Sequence, residues 1–124
     1  MPRFVILRHE LPSDHPRPSH WDFMLEADGV LRTWALENQP DAAEPQTAEA
    51  LPDHRIAYLE IEGEVSGGRG FVTRWDEGTF QWLEEPAASA SELGVRIEGR
   101  RLRGVVVMSR DADSTLWRYE YRPD

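Results

Sequence analysis

The stretch His20-Trp21-Asp22-Phe23-Met24-Leu25-Glu26-Ala27 is followed by Asp28-Gly29 and then by Val30-Leu31-Arg32-Thr33-Trp34-Ala35-Leu36. Apolar and polar side chains alternate on both sides of a dipeptide that favours a two-residue hairpin turn, because Gly tolerates the positive φ such a turn needs. With Asp28-Gly29 as the loop, the register follows: Ala27 faces Val30, Leu25 faces Arg32, Phe23 faces Trp34 and Trp21 faces Leu36. Those residues share one mainly apolar face. His20, Asp22, Met24 and Glu26 share the other, opposite Leu31, Thr33 and Ala35.

The same alternation, broken by turn residues, recurs along the chain and predicts strands over 4–8, 20–27, 30–36, 57–65, 70–75, 79–83, 94–97, 101–108 and 116–121. The predicted class is all-β with minor helix, as a meandering antiparallel sheet or a small closed or nearly closed antiparallel barrel. Turns are expected at Asp76-Glu77-Gly78 and Glu98-Gly99. Residues 38–52, rich in Pro, Ala, Glu and Asp, read as a loop with one helical turn near 47–51. Residues 11–19 hold Pro12, Pro16 and Pro18 and read as an irregular loop, and 86–93 as a short helix. At 124 residues the expectation is one domain over 1–124.

The chain has no cysteine, which removes disulfides, thiolate metal sites and a cysteine nucleophile. The apolar run Phe4-Val5-Ile6-Leu7 is too short for a signal peptide or membrane span, so the expectation is a cytoplasmic protein without a membrane partner. Every basic residue is Arg, and the net charge of −9 opposes broad contact with nucleic acid while leaving room for a local basic groove or a bound cation.

His20 and Asp22, two apart on a strand, point to one face and can share a metal ion. His9 closes the first strand, and the proline-rich loop can bring it alongside. Two imidazoles and a carboxylate make an open site for Mn, Fe or Zn. His54, with Tyr58 four residues on, is an ordinary loop histidine or, in a phosphate-ester site, a phosphate ligand or general acid. His15 reads as idle. Arg100, Arg101 and Arg103 read as a solvated edge or a small phosphate patch. Ser66-Gly67-Gly68-Arg69-Gly70 lacks the ending of a P-loop and reads as a turn. Of the five tryptophans, Trp21 and Trp34 fall on the apolar face and read as core.

In their order, Phe4-Val5-Ile6-Leu7-Arg8-His9, the hairpin block, Pro52-Asp53-His54 with Tyr58, Ile61-Glu62-Gly63, Trp75 through Phe80, and Glu98 through Gly104 resemble the 3′-phosphoesterase domain of bacterial end-joining DNA ligases. The resemblance covers nearly the whole chain, and the hairpin block is its specific part. It implies a small barrel that binds a divalent metal, typically manganese, with zinc or another transition metal as alternatives. It also implies trimming of 3′-phosphates and terminal ribonucleotides from DNA ends in repair. By matching positions, His9, His20 and Asp22 would be the metal ligands. His54 would contact the scissile phosphate and assist catalysis, and Tyr58 would support the pocket.

Four departures stand out. Met24 occupies the position of a phosphate-gripping arginine, and a thioether cannot form the paired hydrogen bonds of a guanidinium. Leu7 stands where the family usually has glutamine. The loop from His9 to His20 is longer than usual, and Arg17 and Arg69 are the candidates to replace the lost arginine. The chain begins at the first strand, where the family carries a polar arm that contributes to its active site, and no ligase or polymerase domain is attached; a stand-alone form and a monomer are expected. The leading expectation is a metal-dependent phosphoesterase acting on a nucleic-acid 3′-end or a small phosphate ester. The alternative is a catalytically impaired metal- or DNA-end-binding module that works through a repair-protein partner. A cupin-type oxygenase is disfavoured, because its motif needs His-x-His and this chain has none.

Overall fold

Local pairing sets the first half of the fold. β1 (Arg3–Glu10), β2 (His20–Ala27) and β3 (Val30–Leu36) form a meander. The β2–β3 register is the one read from sequence, from Ala27 opposite Val30 to Trp21 opposite Leu36. Asp28 and Gly29 both take positive φ (52° and 80°), which matches the twist of a two-residue hairpin. The structure is a computed structural model, and it describes all residues except Ser66 and Ala88.

The remaining elements are β4 (Gln46–Arg55), a 3-10 helix (Ile56–Leu59), β5 (Gly63–Glu64), β6 (Phe71–Trp82), β7 (Glu92–Gly99), β8 (Arg103–Ser109) and β9 (Leu116–Pro123). The sheet runs β1-β2-β3-β4-β9-β8-β7-β6, and β6 returns to β1. That closes an eight-stranded antiparallel barrel, with β5 as an extra strand on β6.

The barrel interior is filled by Phe4, Ile6, Phe23, Leu25, Trp34, Ile97, Val106, Trp117 and Tyr119, among others. Trp34 and Trp117 meet edge to face at 5.9 Å, and Phe23 meets Tyr119 the same way at 5.5 Å. Trp21, Trp75 and Trp82 pack against this core from partly exposed positions. A second apolar cluster lies outside the barrel, where Val5, Leu7, Met24, Leu31 and Val72 are covered by Leu59 of the 3-10 helix. Phe4 through Leu7 is therefore buried on both faces, which explains its unbroken apolar run.

The structure corrects four sequence expectations. Residues 46–55 form β4 rather than a loop with a helical turn, because β3 and β9 both pair with them and override a composition poor in strand formers. Pro52 is accommodated where the β3–β4 register shifts. Residues 57–65 are the 3-10 helix and the two-residue β5 instead of a strand, and they cap the outer cluster. No helix forms among the described residues of 86–93; Glu92 and Leu93 begin β7, and Ala88 lies outside the described residues. Of the glycine-rich stretch, Ser66 likewise lies outside them, while Gly67 and Gly68 form a turn.

The fourth correction is Asp76-Glu77-Gly78, which sits inside the continuous strand β6, directly after Trp75, the extra residue where the register with β1 shifts. Asp76 is buried, and its carboxylate accepts the backbone N–H groups of Glu77 (2.8 Å), Arg100 (2.7 Å), Arg101 (3.1 Å) and Leu102 (2.8 Å). It thereby ties the β7–β8 turn to the barrel wall. A Cβ at Gly99 would collide with that carboxylate and with the Phe4 ring, so only glycine fits there. The neighbouring arginines are engaged as well. Arg101 lies over the Trp75 ring at 4.6 Å, and Arg103 Nε donates to the Gly99 carbonyl at 3.2 Å. Asp76→Ala should lower unfolding free energy by about 2–4 kcal/mol, because it strands the buried N–H of Leu102 and three partly buried N–H groups. Urea denaturation reads this, and a loss under about 1 kcal/mol would show that the turn holds without the carboxylate.

Candidate metal centre

Pairing places His9 opposite His20 and Leu7 opposite Asp22 on the outer face of β1 and β2. His20 and Asp22 are buried at 4% and 3% exposure, whereas His9 is partly open. One donor atom from each of His9, His20 and Asp22 lies within 4.8 Å of the others.

The ring orientations are set by backbone carbonyls. His20 Nδ1–H donates to the Pro18 carbonyl at 3.0 Å, and His9 Nε2–H donates to the Arg69 carbonyl at 2.7 Å. Each ring is left with one nitrogen, a lone pair when the imidazole is neutral, and both aim at Asp22. His20 Nε2 is 2.9 Å from Asp22 Oδ1, and His9 Nδ1 is 3.4 Å from Oδ2. Close as that approach is, the buried Oδ1 has no hydrogen-bond partner among the described residues. Lone pairs facing one another around an unsatisfied buried oxygen call for a proton or a cation between them. The donor set of two imidazoles and a carboxylate suits a first-row divalent metal.

Burial works to raise the Asp22 carboxyl, but His20 and His9 together bring it down to about 2. Asp22 raises the His9 imidazole above its ordinary value, against the opposing effect of burial.

His54 and Tyr58 are brought together but stand apart from this cluster. His54 pairs with Leu31 across β3–β4, two same-face positions along the hairpin from Ala35, the partner of Asp22. Met24 and Thr33 lie between. His54 Nδ1–H donates to the Pro52 carbonyl at 3.0 Å, and its ring meets Tyr58 edge to face at 5.3 Å. Met24 is wholly buried (0% exposed) in the outer apolar cluster. Arg17 forms a two-pronged pair with Glu49, and Arg69 contributes its carbonyl to His9. His15 accepts the Arg17 backbone N–H at 3.0 Å and so braces the loop. The carbonyls of Pro18 and Arg69 had no signature in the sequence.

A profile of the DNA Ligase D 3′-phosphoesterase domain matches residues 12–110. The chain belongs to that family. The match includes His20, Asp22, His54 and Tyr58 and begins after His9. A multifunctional non-homologous end joining protein LigD from Pseudomonas aeruginosa is 31% identical over 106 residues, covering 80% of this chain and 13% of that protein. The multifunctional non-homologous end joining DNA repair protein LigD of Mycobacterium tuberculosis is 36% identical over 109 residues, covering 82% and 13%. The LigD protein of Mycolicibacterium smegmatis is 33% identical over 115 residues, covering 82% and 14%. The chain thus spans about one seventh of the length of these relatives. Among the described residues, this 3′-phosphoesterase-family chain has no helix long and apolar enough to cross a membrane.

The titration of the pair gives a testable pH window in the metal-free protein. The depressed Asp22 contributes stability above its ordinary value of 3.8, which is lost as pH falls through about 2. The raised His9 contributes fully below 6.5 and loses that contribution as pH rises through its folded value. Asp22→Asn should therefore cost most near about pH 5.5, and less near about pH 3 and 8.5. Urea melts of both proteins at the three pH values measure this; a pH-independent difference would contradict it.

Proposed function

We propose that this chain is a divalent-metal-dependent phosphoesterase that acts on 3′-phosphate or 3′-ribonucleotide ends of nucleic acid in end-joining DNA repair. One observation carries the reading. Two carbonyl-oriented imidazole nitrogens and an unsatisfied carboxylate oxygen converge on the outer face of a barrel of the LigD 3′-phosphoesterase family. The names of the relatives support the repair context.

In this reading His9, His20 and Asp22 hold the ion, manganese in the first instance. When bound, the cation polarises a phosphoryl oxygen and lowers the pKa of water beside it. His54 presents the nitrogen not used by Pro52 to the substrate phosphate and protonates the leaving oxygen. Tyr58 packs against the His54 ring and fixes its pose. The Pro18 and Arg69 carbonyls keep the ligand nitrogens turned inward, which limits the reorganisation needed for binding.

The burial of Met24 supports a second reading, a binding module without turnover, since no guanidinium reaches the surface at that position. Release of phosphate from a primer–template bearing a 3′-phosphate, with manganese, separates the two. The wild type should release phosphate, and His20→Ala should be slower by about a hundredfold or more while staying folded. A folded, manganese-bound wild type that releases none would overturn the enzyme reading in favour of the module.

Manganese affinity gives an independent check. It should fall as pH drops through the raised His9 value, because protons compete with the metal for that imidazole, and it should collapse in Asp22→Ala. Calorimetric titration of the metal reads both, and affinity that is indifferent to Asp22 would place the ion elsewhere.

A further inference from the structure

A cavity of about 700 Å³ opens beside His20 on the side of the site away from His54. Its walls include His15, Arg17, Pro18, Ala35 and Glu49. The floor has a simple origin in the strand register. Asp22, Ala35 and Glu49 lie side by side across β2, β3 and β4, so Glu49 stands about 10 Å from Asp22 with only a methyl group between them. A larger residue at 35 would fill the space.

Arg17 reaches this cavity from the proline-rich loop. Its Nη1 and Nη2 donate to Glu49 Oε1 and Oε2 at 3.0 and 3.3 Å, a fork-to-fork pair open to solvent. The loop is held in place independently of that pair. His15 N–H donates to the Pro12 carbonyl at 2.9 Å, Leu11 N–H donates to Ser19 Oγ at 2.9 Å, and His15 Nδ1 accepts the Arg17 N–H. The hydrogen bond to Glu49 holds the guanidinium above its ordinary value, against the opposing effect of partial burial.

We infer that Arg17 is the phosphate-binding residue of this site, with Glu49 as the internal carboxylate that occupies its fork until a phosphate displaces it. This deepens the function proposed above and rests on it for the identity of the substrate. A guanidinium fork matches phosphate as it matches carboxylate, through two parallel N–H···O bonds. Met24 closes the alternative position, because that side chain is sealed beneath the 3-10 helix. The consequence is a terminal phosphate that enters over Ala35, met by Arg17 from one flank of the cluster, with its leaving oxygen directed toward His54 on the other. A bound carboxylate also sets a threshold. A dianionic terminal phosphate competes with Glu49 better than a singly charged backbone phosphodiester does.

The test is calorimetric titration of the manganese-loaded 124-residue chain with inorganic phosphate. Manganese affinity and thermal midpoint are measured in parallel. Arg17→Gln should weaken phosphate binding by about tenfold or more, as loss of a charged two-pronged contact implies. Manganese affinity and the thermal midpoint should stay unchanged. Glu49→Gln should tighten phosphate binding, and Ala35→Val should weaken it by filling the floor. Phosphate binding that is unaltered in Arg17→Gln, or weakened by Glu49→Gln, would overturn the assignment, as would a wild type that takes up manganese but no phosphate. The two proposals fail separately. If Arg17-dependent phosphate binding occurs without release from 3′-phosphate ends, the subsite stands and the phosphoesterase reading falls. If such release occurs with phosphate binding indifferent to Arg17, the subsite falls and the phosphoesterase reading stands.

Discussion

β1 is hydrogen-bonded along both edges, to β2 on one side and to β6 on the other, and Phe4 through Leu7 is buried on both faces. Everything else is arranged around that strand. Its inward residues, Phe4 and Ile6, fill the barrel, while Val5 and Leu7 anchor the outer cluster. Continuing outward along the same face, the next side chain is His9. The seam that closes the barrel thus also delivers a member of the candidate metal centre. A register slip of one residue would invert every one of these assignments.

The outer face of the hairpin is divided by burial. Near the 3-10 helix, Met24 and Leu31 are covered by Leu59 and have become part of an apolar layer. Toward the proline-rich loop, the same face carries Asp22 and His20 and then opens into the cavity over Ala35. An uncovered strand face is where a barrel with a filled interior can place polar chemistry, since its inside has no room for a ligand. The net charge of −9 fits contact with few phosphates at one end of a nucleic acid more readily than contact along its length.

Where pattern and structure agreed, the determinants were local. The hairpin register followed from Asp28-Gly29 and a period of two, and the adjacency of His20 and Asp22 came with it. β4 was illegible because Ala, Glu and Pro are poor strand formers, and the pairing that recruits them comes from β3 and from β9 near the other end of the chain. Asp76 carried the composition of a turn, yet its carboxylate organises a turn 24 to 26 residues away. The candidate ligands His9, His20 and Asp22 were visible as residue types. The orientation of their rings was not, because Arg69, whose carbonyl holds His9, is 60 residues distant. The cavity had no signature either, because it depends on a small residue, Ala35, sitting between two strands that carry acids.

The seam between β1 and β6 has a kinetic side. It joins Arg3 to Thr79 and Glu10 to Phe71, so it closes a loop of some 60 to 75 residues, and the β4–β9 pairing closes another of similar span. Long closures lose more chain entropy before contacts compensate for them, and chains built on such contacts fold slowly. The hairpin that bears His20 and Asp22 can form early, since its pairing is local. The Arg69 carbonyl that turns the His9 ring reaches it only when the chain around β6 has come back to β1. The full donor set therefore comes into being with barrel closure, and a half-folded chain would carry only part of it.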